Sequence, residues 1–226
     1  MKGCKWISES KILGRYFHVD VFKSDAAPGG LVLWLGGSCI DMNEYKRREN
    51  TLVPIFEKAW NRLGYDLPII FVFVTAPYDI KYWNFSDHIA DKDQWNQHVE
   101  KEILGNWPDL PVYLIGNSGG AALAFNGVHK IYSIAGAGAI GADQIPQDFE
   151  IPLKQDGEPE WILNLYYNWN DIVYEKNERI IDNLVRKGFA ISNRFNGGHI
   201  TEDYIENRSF DAMIRSAIKS FSIPSL

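Results

Sequence analysis

Near the middle of the chain, Gly116-Asn117-Ser118-Gly119-Gly120 has the form G-x-S-x-G, with the apolar run Pro111-Val112-Tyr113-Leu114-Ile115 before it and a small-residue run after it. That spacing sets a serine on a sharp strand-to-helix turn, with its hydroxyl lifted above a sheet edge. Such a serine can attack an electrophilic carbon once a base removes its proton. Gly116 and Gly120, without Cβ, let the strand and helix backbones approach closely. Further along, Asp171 follows the apolar stretch 161–167, and His199 ends the turn Asn196-Gly197-Gly198-His199. A histidine, with an ordinary pKa near ~6.5, can take the hydroxyl proton and return it to a leaving group. An aspartate beside it fixes the imidazole tautomer and stabilises the imidazolium. Ser118, Asp171 and His199 are therefore the candidate nucleophile, acid and base. Asp148, Asp156, Asp182 and Asp203 are alternative acids. Asp171 is preferred because it leaves a strand and precedes a helix. Asp182 falls within a predicted helix, Asp148 and Asp156 come before the strand, and Asp203 follows the histidine.

Other loops at the same sheet edge supply the remaining candidates. Gly36-Gly37-Ser38-Cys39 follows the apolar run 31–35. Its backbone can approach a substrate at Gly37, and the Ser38 N–H can pair with the Gly119 N–H as donors to an oxyanion. A plain glycine turn into a helix is the alternative. Cys39 has no neighbouring base and is not read as a nucleophile. Tyr78, Tyr82 and Trp83, with Phe85 beyond them, follow the apolar run 68–74, and Trp169 stands beside the candidate acid. These aromatics could wall a pocket, or simply pack a long loop. Asp87, His88, Asp91 and Asp93 match no metal-ligand spacing, and Asp91 suits a helix N-cap. No metal and no cofactor is expected.

The elements that would position these groups follow from hydrophobic periodicity. Residues 6–8 and 15–23 read as strands. In the second, Phe17, Val19 and Val21 share one face, with Tyr16, His18 and Asp20 on a solvent face. Strands are also expected at 31–35, 68–74, 111–116, 130–135, 161–167 and 189–194. Helices are expected over 44–64, with Pro54 in a first turn, and over 92–105, with His98 at the surface. Three more are expected: one directly after Ser118, one over 175–187 with Ile180, Ile181, Leu184 and Val185 inward, and one over 209–220. Ala121, Ala122 and Ala124 would let the helix behind Ser118 lie tight against the sheet. The stretch 136–158 holds Gly, Pro, Gln and Asp without an amphipathic pattern, too short for a helical lid. Strands alternating with helices imply an α/β architecture, a mostly parallel sheet with an antiparallel start.

Composition sets the bounds. The 226 residues suit one domain, and neither a linker nor a repeat divides 1–226. A formal charge of −6, with no basic block, argues against nucleic acid or an anionic membrane as partner. Cys4 and Cys39 give no disulfide framework, and the opening Met1-Lys2-Gly3-Cys4-Lys5-Trp6 lacks a signal peptide's apolar core, so a cytoplasmic protein without membrane insertion is expected. Asn84-Phe85-Ser86 and Asn207-Arg208-Ser209 are then chance glycosylation sequons.

The elbow Gly116-Asn117-Ser118-Gly119-Gly120 and the turn Gly197-Gly198-His199, in the order Ser, Asp, His, resemble the α/β-hydrolase superfamily along nearly the whole chain. Ser10-Lys11-Ile12-Leu13-Gly14-Arg15 is similar to openings in the esterase D and feruloyl-esterase branch. The resemblance implies helices on both faces of the sheet and a serine ester hydrolase without cofactor. It also implies a small-molecule ester as substrate and Ser118, Asp171 and His199 in the triad. The chain departs from many relatives at the oxyanion loop, where Gly36-Gly37 replaces His-Gly. A non-catalytic small-molecule-binding scaffold, and an acyltransferase using the same three groups, are the other readings.

Overall fold

The computed structural model describes residues 2–12, 14–36, 54–64, 66–75, 94, 96–127, 134–142, 145, 149, 151, 153–157, 160–199 and 201–222. Its strands are β1 (Lys2–Ser10), β2 (Arg15–Lys23), β3 (Gly30–Leu35), β4 (Ile69–Thr75), β5 (Val112–Asn117), β6 (Ile134–Ile140), β7 (Leu163–Asn168) and β8 (Ala190–Phe195). They form one sheet in the order β1-β2-β4-β3-β5-β6-β7-β8. β2 is antiparallel to both its neighbours, and every pair from β4 to β8 is parallel. Helical residues 54–63 form α1, and 44–53 of the helix expected over 44–64 lie outside the described residues. After a π-helical segment, His98–Ile103, come α2 (Gly119–Gly127), α3 (Tyr174–Arg186), α4 (Thr201–Glu206) and α5 (Ser209–Ser220).

The central strands read as unbroken apolar runs because both faces are covered. In β3, Leu31, Leu33 and Leu35 join one core with Val72, Leu114, Ala121 and Ala124. Val32 and Trp34 point the other way, into a core with Phe56, Trp60, Phe71 and Phe210. Trp34 is the hub there, 5.1 Å from the Phe56 ring and nearly perpendicular to it. This edge-to-face arrangement adds to the burial. On α3 the buried stripe is narrower than expected: Ile181 and Leu184 are buried, Ile180 is half-buried, and Val185 is exposed.

Four sequence expectations are corrected. Of the strand expected at 130–135, residues 134 and 135 open β6, whose run Ile134–Ile140 takes up much of a Gly- and Ala-rich stretch read as connection, while 130–133 lie outside the described residues. A Cβ on Gly136 would lie 2.8 Å from the Tyr113 ring. Small residues are needed to seat that buried tyrosine, and packing overrides weak strand propensity. His98, expected at the surface, is fully buried, with Nδ1 2.6 Å from Glu102 Oε2. Glu102 Oε1 also accepts the Lys11 and Ile12 N–H groups at 2.9 and 3.3 Å, tying the β1–β2 turn to the π-helical segment. Asp20, expected on a solvent face, is buried. Finally, α4 was not expected.

Between β6 and β7, none of the described residues is helical, so no helical cover is built there from them.

Candidate active site

β5 ends at Asn117 and α2 begins at Gly119, leaving Ser118 alone at the turn with φ of +51°. This left-handed backbone is strained for a residue with a Cβ. It is held from across the sheet: the Ser118 N–H and Asn117 Nδ2 both donate to the Ile140 carbonyl, at 2.9 and 3.1 Å. The turn is closely packed on either side. A Cβ on Gly116 would sit 2.2 Å from Ala121 Cα, and one on Gly120 would sit 2.3 Å from the Leu35 carbonyl oxygen. Both glycines are thus required by backbone approach, as their types suggested. Ala121 and Ala124 are buried between α2 and the sheet. Gly119 carries the first N–H of α2, at the positive end of the helix dipole.

Asp171 and His199 come to this serine from the C-terminal ends of β7 and β8. Ser118 Oγ lies 3.0 Å from His199 Nε2, and His199 Nδ1 lies 2.8 Å from Asp171 Oδ1. A carboxylate only accepts, so Nδ1 carries the ring proton and Nε2 is left to accept from the serine hydroxyl. The Asp171 side chain is fully buried, whereas His199 is 29% exposed. The acid is therefore shielded while the base remains accessible. Asp171 Oδ1 also accepts the Val173 N–H at 3.0 Å, and Oδ2 accepts the Tyr204 hydroxyl.

The two loops are cross-linked. Trp169 N–H donates to Phe195 at 2.8 Å and Asn170 N–H to Gly197 at 3.2 Å, so β7–β8 pairing runs on into the loops. Asn168 Nδ2 donates to the Gly198 carbonyl at 2.7 Å, and Asn207 Nδ2 reaches Asn168 Oδ1 and the Asn196 carbonyl, each at 2.6 Å. Asn207, the acceptor of a sequon, thus has its amide committed inside the fold. Asp203 Oδ2 accepts the Gly198 N–H at 2.6 Å. Of the alternative acids, Asp203 braces the histidine loop from its backbone, Asp156 and Asp182 are exposed, and Asp148 lies outside the described residues.

The structure brings Ser118, His199, Asp171 and Gly119 together. Gly37, Ser38, Tyr78, Tyr82 and Trp83 lie outside the described residues, as do Cys39 and the 87–93 cluster. Gly36, at the end of β3, donates its N–H to Val74 at 3.0 Å. Trp169 is 62% exposed, with the Arg194 guanidinium 4.9 Å above its ring and 3.6 Å from that of Tyr174. Tyr204 and Asn168 were not singled out from the sequence, which carries no motif marking them, and Asn207 was noted only as part of a sequon. Among the described residues, no group of His, Cys, Asp and Glu could hold a metal ion, and no helix is long and apolar enough to cross a membrane.

Neither a family model nor a curated protein matches the sequence. Solved structures do resemble it. A ferulic acid esterase superposes with a TM-score of 0.63 at 12% identity, covering 97% of this chain and 98% of that one. An S-formylglutathione hydrolase from Staphylococcus aureus gives 0.60 at 14% identity over 94% and 96% of the two chains. A lidless α/β serine hydrolase from Xanthomonas campestris gives 0.63 at 13% identity over 100% and 97%. At such identities the likeness speaks for architecture: the chain has the α/β-hydrolase fold.

Proposed function

We propose that this α/β-hydrolase-fold protein is a serine hydrolase cleaving carboxylic esters or thioesters of small soluble molecules. The observation that carries the reading is the continuous relay from Ser118 Oγ through His199 to the buried Asp171, at 3.0 and 2.8 Å. Ser118 Oγ attacks the carbonyl carbon as its proton passes to His199 Nε2. The resulting oxyanion is stabilised by the Gly119 N–H and, on the sequence expectation, the Ser38 N–H. Collapse breaks the bond to the leaving alcohol or thiol, which takes the proton from Nε2 and leaves an acyl group on Ser118. Water, deprotonated by the same nitrogen, then releases the acid. Asp171 stays ionised throughout, orienting the ring and balancing the imidazolium. An alcohol in place of water would make the same groups an acyltransferase.

Small substrates are supported by the described residues between β6 and β7, none of which is helical. The aromatic residues Tyr78, Tyr82, Trp83 and Trp169 are proposed as pocket walls, offering stacking rather than a deep acyl tunnel. A cytoplasmic setting, with neither nucleic acid nor membrane as partner, fits the charge of −6 and the two cysteines.

The test is hydrolysis of an ester series of increasing acyl length, below and above each substrate's solubility limit, with Ser118→Ala as control. Short soluble esters should be turned over by the wild type alone. A rate jump on crossing the solubility limit would overturn the small-substrate assignment. Absence of hydrolysis across ester and thioester panels would favour a binding scaffold.

A further inference from the structure

The relay uses only one of the two carboxylate oxygens of Asp171. Oδ1 accepts from His199 and from the Val173 N–H, while Oδ2 points into the protein, where, among the described residues, it accepts from the Tyr204 hydroxyl. We propose that Tyr204 is a positioning residue: its buried hydroxyl anchors Oδ2, locking the carboxylate plane so that Oδ1 stays in line with His199 Nδ1. The proposal rests on reading Ser118, His199 and Asp171 as a hydrolytic relay.

The direction of the Tyr204 hydrogen bond is fixed by its other partner. The Asn168 backbone N–H donates to the phenol oxygen at 3.1 Å, so the single O–H of Tyr204 is left for the carboxylate. Tyr204 is wholly buried, and that burial, followed by the hydrogen bond to Asp171, pushes its pKa upward. The phenol therefore keeps its proton, and remains a donor, at neutral pH. Without this anchor a carboxylate can turn about its terminal torsion, which is broad and two-fold.

Two features fit the role. Tyr204 lies on α4, directly after the histidine loop, beside Asp203, which holds the Gly198 N–H at 2.6 Å. One short helix therefore grips the acid with one side chain and the loop of the base with the next. On the other side Gly141 closes over the cluster: a Cβ there would lie 2.7 Å from Asp171 Oδ2, 2.9 Å from the Tyr204 hydroxyl and 3.2 Å from His199 Nδ1. Among the described residues, the phenol is the donor placed at Oδ2.

The experiment compares wild type, Tyr204→Phe and Tyr166→Phe. The last removes a buried hydroxyl of similar setting, 3.0 Å from Ser216 Oγ, away from the relay. Tyr204→Phe should lose about 10- to 100-fold in kcat with KM little changed, the scale of one hydrogen bond to a buried charge. The low-field proton resonance of His199 Nδ1–H should broaden or move upfield in Tyr204→Phe and stay in place in Tyr166→Phe. An unchanged resonance together with unchanged kcat in folded Tyr204→Phe would overturn the proposal. If Tyr204→Phe fails to fold, 3-fluorotyrosine at position 204 keeps the shape with a stronger donor. The resonance must then shift, and a fixed resonance refutes the coupling. A wild type that hydrolyses nothing sinks the hydrolase reading, while the proton resonance still decides on Tyr204.

Discussion

Ser118 holds a backbone angle of φ +51°, so the elbow should cost stability that a glycine would recover. The perturbation is a pair of variants, Ser118→Gly and Ser118→Ala. Both lose the hydrogen bond between Ser118 Oγ and His199 Nε2 at 3.0 Å, so its value cancels in the comparison. Left-handed backbone costs a residue with a Cβ about 1–2 kcal/mol. Glycine escapes that but loses about 0.5–1 kcal/mol of backbone entropy on folding. The net expectation is Ser118→Gly more stable than Ser118→Ala by about 0.5–1 kcal/mol. For a chain of this size that is a Tm difference on the order of 1–4 °C. Urea unfolding at matched slopes reads the same difference as a midpoint shift. Ser216→Gly and Ser216→Ala, within α5, provide the control, where Ala should win by about 1 kcal/mol. If Ser118→Ala equals or exceeds Ser118→Gly in stability, the turn is not strained and the reasoning fails.

Asp171→Asn should leave the fold intact and lower kcat by roughly 10³–10⁴, about 4–5.5 kcal/mol at the barrier, a magnitude taken from the serine-protease template. Steady-state kinetics check it, and near-wild-type turnover would remove Asp171 from the relay. Gly120→Ala must push α2 away from the Leu35 carbonyl, which its Cβ would approach to 2.3 Å. A stability loss of about 1–3 kcal/mol with a fall in kcat is expected from denaturation and rate measurements. Acid should destabilise the protein in two stages. Burial, opposed by Glu102, lowers the His98 pKa below its ordinary 6.5. The unfolded chain therefore takes up the proton first, and stability falls as pH drops below about 6.5. Burial alone would raise the Glu102 pKa, but hydrogen bonds from Ser10, His98 and the Lys11 N–H outweigh it and hold it below 4.5. Its contribution is present above that value and is lost as pH falls through the lower folded one. Urea midpoints against pH should show both stages, and His98→Gln should abolish the first.

The site was legible in the sequence where chemistry demands particular residue types at the ends of strands. G-x-S-x-G marks a turn that only glycines at 116 and 120 permit, and the place of Asp171 between a strand and a helix singled out an acid that geometry then sets against the ring. The sheet was legible wherever apolar residues run unbroken, as in β3 and β5. It was not legible in β6, because Gly136 owes its presence to a tyrosine on the neighbouring strand, a fact of packing with no local pattern. His98 and Asp20 were misread for a related reason. Polar residues on a periodic element suggest a solvent face unless what packs on that face, such as Glu102 against His98, is known. Tyr204 belongs to a six-residue helix, too brief for periodicity to reveal, and its hydroxyl matters only because Asp171 is folded against it.

The central claim is that Ser118 is an activated nucleophile, and reaction of the folded protein with a fluorophosphonate tests it most directly. The phosphonylating group has to be attacked by Oγ while His199 takes the proton. Intact-mass and peptide mass spectrometry should therefore find one adduct, on the peptide bearing Ser118. Labelling should be lost in Ser118→Ala and much slowed in Asp171→Asn. An adduct on another residue, or none on folded wild-type protein, would contradict the account.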